Sequence, residues 1–540
     1  MSNHIIKKDN RGIGKGKKDF STICKELITL GIFVYVQLML IVFPLYYQDK
    51  YYNMGEAKYA FFKRVSLSFL SVLIILVILN AIINIRKFNW SNLWKVLSVT
   101  DKFVLLYAIA VWISFILTPY KADAVWGYEG WYMGIVSQML FVIIYFLVSR
   151  FLDCSRNMLH MVCAVSAIVF LLAVLHRFQI DPLHMYEGLT MNNKILFLST
   201  MGQATWYSSY LCIVFPIGLY LYWSSTNRIE RILYGIYVAL GFSTMVTQNS
   251  DSAFVAFGLI LLVLFTFSYT SNDKLSRFLE IVIIGLAAMR IIGILQTHFP
   301  DAVVPLEELS IRASQGNESK VLLLVTLLLY VLLRYFMIAM PLKMAKHRKY
   351  YIIIPIISLT VIVSVPFLVY LNTKDMLPAG MSFLKKVNYF IFNDDWGNGR
   401  GFTWRCSAEI FKEYSLKNKF FGCGPDCFAS YAYDRYADTL SSRWGNDILT
   451  NAHNEWFTSL LYFGYLGAIT YLSIFVTEAV RCMKLIKKEP FLLVGAMCIV
   501  AYVGHNFFCY QQIICTPIIF IFMGMMEYKL RGKRENRHAL

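Results

Sequence analysis

Long apolar stretches alternate with short polar connections along almost the whole chain. Each apolar run of roughly 18 or more residues can cross a ~30 Å hydrocarbon layer as a helix. Such runs begin near residues 23, 65, 99, 131, 157, 206, 231, 252, 276, 320, 351, 457, 490 and 511. They predict an all-α polytopic membrane protein with about 12–14 transmembrane helices. The pair 231–247 and 252–269 reads either as two spans or as one hairpin. The run Ile23–Tyr47 exceeds a signal-peptide core and lacks a small-residue cleavage site, so it reads as the first span. One long polar interval breaks the pattern. It divides the chain into an N-terminal bundle over 1–370, a large loop over 371–456 and C-terminal helices over 457–540.

Composition agrees with the pattern. Of 540 residues, 58% are hydrophobic and 16% charged, against roughly a quarter charged in soluble domains. The net charge of +18 changes the picture only through its placement. Basic residues fall in alternate connections: Lys7, Lys8 and Arg11, then Arg86-Lys87, Arg228 with Arg231, Lys343 to Lys349, Arg481 to Lys488, and Arg531 to Arg537. By the positive-inside rule both termini are expected in the cytoplasm and loop 371–456 outside it. The charge is then topological, facing an anionic leaflet, and a nucleic-acid partner is not needed to explain it. The 11 cysteines are scattered without a CxxC pair, so a zinc site has little support. Cys423 and Cys427 read either as a disulfide or as two thiols.

The candidate chemistry gathers between Asn398 and Leu466. That stretch holds Gly399-Arg400 with Trp404, the turn Gly422-Cys423-Gly424 with Phe428, and His453-Asn454-Glu455 at the threshold of an apolar run. In order, spacing and position these resemble the O-antigen ligase/polymerase superfamily of membrane glycosyltransferases, with its GR-x-x-x-W, G-x-G-x-x-x-F and HN-E segments. The resemblance implies a GT-C-like fold and a transferase in a bacterial plasma membrane. It would move a glycan from polyprenyl (undecaprenyl) diphosphate to an acceptor hydroxyl on glycan, lipid, wall or protein. The reaction would invert the anomeric centre and use no metal or other cofactor. By the same resemblance Arg400 and Arg405 contact the diphosphate and His453 activates the acceptor, with Asn454, Glu455, Trp404 and Gln203 in support. Two positions depart from the family: Gln203 stands where Asn is usual, and Asp251 where many relatives have Arg.

The residue types suit those tasks. Arginine's planar fork pairs bidentately with phosphate oxygens, and histidine's ordinary pKa lies near the working pH. Plainer readings stand beside them. Arg400 and Arg405 could anchor an interface or pair with Asp394, Asp395 and Glu409, and Asp394-Asp395 could instead hold a metal. His453 could open the following helix with Asn451 as its cap; residues 452–455 as a first helical turn would favour a neutral imidazole through the helix dipole. A helix is expected over 401–414 with Trp404, Ala408 and Phe411 on one face. Trp126 to Trp131 reads as an interfacial aromatic belt or as a substrate contact, and Arg290 is the clearest charge deep in a span. A lipid-linked oligosaccharide flippase has a similar span count. It should show internal repeats and a charged central cavity, neither of which the sequence displays.

Overall fold

The computed structural model describes residues 20–85, 93–339, 353–378, 380–381, 390–445 and 448–538. The basic segments at 7–18, 86–87 and 343–349 lie outside them. The chain is an all-α polytopic membrane protein. Its first helices are α1 (Phe20–Leu45), α2 (Met54–Ile83), α3 (Val99–Leu117), α4 (Ile135–Phe151) and α5 (Arg156–Arg177). There follow α6 (Ala204–Ser224), α7 (Arg228–Thr247), α8 (Asp251–Ser268) and α9 (Asn272–His298). A bent pair, α10 (Glu308–Gln315) and α11 (Asn317–Ala339), precedes α12 (Ile353–Thr373). Three shorter helices come next: α13 (Trp396–Glu413), α14 (Leu416–Phe421) and α15 (Phe428–Trp444). The chain closes with α16 (Glu455–Leu485), α17 (Leu492–His505) and α18 (Thr516–His538).

Among the described residues nine helices are long and apolar enough to cross a membrane unaided, ten if the bent pair is one span. The doubtful pair resolves into two separate helices, α7 and α8, each of spanning length. The core sits on α6, 89% buried over its apolar window, which packs against α17; α18 packs against α4 and α16 against α3. The peripheral helices turn bare apolar faces outward, such as Ile75, Leu79 and Ile82 on α2. That arrangement suits lipid and would be costly in water.

Hydrogen bonds sort the connections to two ends. Tyr51 meets Ser199, Tyr128 meets Asp426, and Tyr510 meets Gln203, which gathers the connections after α1, α3, α5, α12 and α17 at one end. The opposite end is held by ion pairs: Arg150 with Asp101 at 2.8 Å, Arg156 with Glu230 at 2.8 Å and Lys529 with Asp153 at 2.6 Å, besides Arg481 with Glu527.

Three expectations shift. The second span begins at Met54, about three turns before residue 65, because Lys58 is fully buried and donates to the carbonyls of Phe43 (2.6 Å) and Pro44 (3.1 Å). A lysine that closes the open end of α1 in this way need not lie outside the bundle. The last helix begins at Thr516 instead of residue 511, since 506–515 turns back into the loop end. Arg290 is not the deepest charge. It donates to Gly316 O at 3.1 Å, closing the break between α10 and α11, whereas Asp101, Glu478 and Glu527 are fully buried in partnership with arginines.

Candidate active site

The polar segment is held to the bundle through a break in α16. Gly464 has φ +63° and interrupts the helix, which leaves carbonyls without their usual partners. The backbone N–H of Cys423 donates to Leu461 O at 3.0 Å and that of Gly424 to Tyr462 O at 3.1 Å. Ser114 on α3 adds a hydroxyl to Tyr462 O at 2.7 Å. The approach is close enough that a Cβ on Gly422 would lie 2.1 Å from Tyr462 O, and one on Gly464 2.3 Å from Phe420 C. Gly422 of the G-x-G turn is thus demanded by backbone contact with a broken helix, whereas a Cβ on Gly424 would meet the Thr118 side chain at 2.7 Å. Cys423 and Cys427 beside that turn are buried thiols, with no disulfide between them.

His453 lies just before α16, not in its first turn. Asn454 is the cap, its side chain accepting from Phe457 N at 3.0 Å. Asn451 instead accepts from the His453 backbone N–H at 2.8 Å. Held between these two bonds, His453 adopts φ +49°, a sparsely populated conformation for a residue with a Cβ. Its ring nitrogens make no hydrogen bond within the described residues, and its ring meets that of Tyr510 edge-on at 5.2 Å. Burial, with the Arg400 charge second, pushes the imidazole down to about 4. The neutral form expected from a helix dipole is therefore favoured by a different cause.

Arg400 opens the regular part of α13, after Gly397, Asn398 and Gly399 with φ of +61°, +60° and +83°. Its Nε donates to Phe508 O at 3.1 Å and its Nη1 to Gly397 O at 2.7 Å, with Nη2 outside both bonds. Burial lowers its pKa from the usual range, opposed by the nearby Cys509, Tyr510, Asp251 and Glu307. Trp404, one turn on, donates Nε1 to Ala452 O at 2.9 Å and stacks on Phe508. The face of α13 buried against the bundle is Phe402, Cys406 and Ile410, offset from the expected Trp404, Ala408 and Phe411, which are only half-buried. Trp404 thereby remains at the site.

Gln203 is brought in by Tyr510. A two-residue antiparallel ladder, β1 (Phe197–Leu198) with β2 (Gly202–Gln203), sets Gln203 at the start of α6. Its Oε1 accepts from the Tyr510 and Thr205 hydroxyls, each at 3.1 Å, and Trp206 Nε1 donates to the Tyr510 oxygen at 3.1 Å. Tyr510 is thus the hub between Gln203 and His453.

Two predicted residues face elsewhere. Arg405 is 45% exposed and grips Asp394 with Nε at 3.0 Å and Nη2 at 2.7 Å, with Glu409 3.8 Å away. The pairing anticipated in the plainer reading is the one found. Glu455 turns into the bundle, where its fully buried carboxylate accepts from Tyr471 Oη at 2.5 Å, from Tyr502 Oη at 3.0 Å and from Asn506 Nδ2. Among the described residues no three His, Cys, Asp or Glu come together as a metal ion would require.

Three residues at the candidate site were not visible in the sequence. Tyr510 and Phe508 sit in 506–515, whose only signal is a polar–aromatic break in an apolar run. Asp426 is 1% exposed and accepts from the backbone N–H groups of Tyr128 and Met133, both at 2.8 Å, and from Tyr462 Oη at 2.8 Å. Burial pushes its carboxyl up to about 6 despite these donors. Across the site Asp251 and Glu307 put negative charge near Arg400. The connection bearing Glu307 is fastened by Asn249, which donates to Pro305 O at 2.8 Å and accepts from Glu307 N at 3.0 Å.

No model of a known protein family matches the chain, and no curated protein matches it.

Proposed function

We propose that this protein is a membrane glycosyltransferase that moves a glycan from a polyprenyl diphosphate to an acceptor hydroxyl. It would act as a polymerase or ligase in cell-surface polysaccharide assembly, on the outer face of a bacterial plasma membrane. The observation that carries the reading is that Arg400, at the start of the regular part of α13, and His453, just before α16, come close enough for the guanidinium charge to act on the imidazole. An available imidazole beside a guanidinium suits a reaction that removes a proton and releases an anion.

The acceptor O–H loses its proton to a ring nitrogen of His453 as its oxygen attacks the anomeric carbon. The bond from that carbon to the diphosphate breaks with its electron pair, and Arg400 offsets the negative charge gained by the leaving group. Arg405 serves the site indirectly, fixing the start of α13 through Asp394. The order of the GR-x-x-x-W, G-x-G and HN-E segments supports the same assignment.

The test is reconstitution of the purified chain in liposomes with the source cell's own polyprenyl-diphosphate glycan and candidate acceptors, with product length read on gels. Transfer by the wild type, lost in Arg400→Ala and His453→Ala, is expected. A correctly inserted wild type that transfers nothing from any such donor overturns the reading.

A further inference from the structure

Helix α2 carries two cations where its lipid-facing stripe begins. Arg64 is exposed and heads the row of bare apolar residues Leu67, Ile75, Ile78 and Ile82, which helical spacing sets on one face. At 1.5 Å per residue the distance from Arg64 to Ile83 is about 28 Å, close to the ~30 Å of a hydrocarbon layer. Arg64 and its neighbour Lys63 therefore lie at headgroup level, at the end of the bundle that carries the candidate site. Lys63 Nζ sits 3.6 Å from the ring centre of Trp126, which is 42% exposed and takes the interfacial place expected of an aromatic belt. Among the described residues neither Lys63 nor Arg64 makes a hydrogen bond or an ion pair. Glu56, two turns away on the same helix, accepts from Tyr132 at 3.4 Å instead. The hydroxyl of Tyr59, a residue only 9% exposed whose ring centre is 5.6 Å from Lys63 Nζ, has no partner among the described residues either.

Two uncompensated cations and an unused phenolic donor, set above an apolar stripe, suit a multiply charged lipid head whose chain runs along α2. The patch adjoins the candidate site. Tyr59 stacks on Tyr132 at 3.9 Å, the next residue, Trp131, meets Tyr510 at 4.4 Å, and Tyr510 meets His453 at 5.2 Å. We infer that Lys63 and Arg64 are the docking point for the diphosphate of the lipid-linked donor, which is captured there from the bilayer in advance of Arg400. A diphosphate is favoured over a phospholipid head because it carries more than one negative charge, matching two cations, whereas a phosphodiester carries a single one. The identity of the lipid rests on the transferase reading, but its capture is measured without turnover.

The probe is undecaprenyl diphosphate without a glycan, added to the full chain in phosphatidylcholine nanodiscs. The chain carries Arg400→Ala, so that the cation of the candidate site is absent, and retention is read by native mass spectrometry. Lys63→Gln with Arg64→Gln should weaken retention about tenfold or more. Lys63→Arg with Arg64→Lys, which keeps both charges, should hold it within about twofold, as should Lys417→Gln on α14. Either single neutral variant decides the matter, with a loss of about threefold, if the double variant does not insert. Phosphatidylglycerol in excess should not displace the probe. In the chain with Arg400 intact, the double neutral variant should raise the donor KM and leave kcat unchanged. No retention by the Arg400→Ala chain, equal retention by the double neutral variant, or ready displacement by phosphatidylglycerol would each overturn the inference. Retention that depends on Lys63 and Arg64 in a chain that transfers nothing would overturn only the proposed reaction.

Discussion

Glu455 and Asn506 are hydrogen-bonded in both directions: the Glu455 N–H donates to Asn506 O at 2.9 Å, and Asn506 Nδ2 donates back to the Glu455 carboxylate. The pair joins the start of α16 to the end of α17 and fixes the turn that carries Phe508 and Tyr510. Glu455→Ala would strand buried donors on Tyr471, Tyr502 and Asn506, at a cost of about 1–3 kcal/mol for each unsatisfied group. A fall of several degrees in Tm in detergent is expected, with Glu455→Gln milder because it keeps one acceptor. Equal Tm values for wild type and Glu455→Ala would refute this role.

Loss of the base should be large and specific. His453→Ala should lower the transfer rate about 10²–10⁴-fold while membrane insertion and donor retention persist. Because the imidazole sits at about 4, the rate should stay level as pH falls through the ordinary histidine range near 6.5 and decline only toward about 4. Stability follows the same depression. Between those two pH values the unfolded chain binds the extra proton, so this residue's contribution is present above about 6.5 and is lost as pH falls toward about 4. His453→Gln should lack that component of the unfolding profile.

The two arginines should separate cleanly. Arg400→Lys loses the fork geometry and should raise the donor KM and lower kcat together. Arg405→Ala breaks an exposed pair worth about 0–1 kcal/mol and should keep transfer within about threefold of wild type. Asp251→Asn removes negative charge near Arg400 and should lower the donor KM. A rise instead would show that Asp251 serves donor binding directly.

Orientation is testable because all 11 native cysteines are buried, which keeps background labelling low. An impermeant thiol reagent on intact cells should label Lys417→Cys on α14 and spare Lys488→Cys beyond α16. The reverse pattern would place the candidate site in the cytoplasm.

Much of the fold was legible because span length and apolarity are local properties, and the doubtful 231–269 region divided where Gln248 to Ser250 interrupt it. Helix starts were misplaced where a charge folds inward, as Lys58 does, since sequence does not show which carbonyls await a donor. At the site, Arg400, Trp404 and His453 were marked by resemblance to a family's motifs, and the structure sets Trp404 on the Ala452 carbonyl and the Arg400 charge near the His453 ring. Arg405 carried the same marks but takes a local partner, Asp394. Tyr510, Asp426 and Asn506 escaped notice because each matters only through a distant partner: Gln203, Tyr128 and Glu455.

The break at Gly464 also bears on how the molecule is made. The carbonyls that hold Cys423 and Gly424 belong to Leu461 and Tyr462, which leave the ribosome after the segment they anchor. Until α16 has entered the bilayer, the residues around Arg400 have no fixed seat. A nascent chain arrested before Glu455 should therefore expose them to added protease, and one that has also released the 506–515 turn, which supplies the Phe508 carbonyl to Arg400, should protect them. The centre is assembled late in biogenesis, when the transmembrane scaffold that precedes it is already in place.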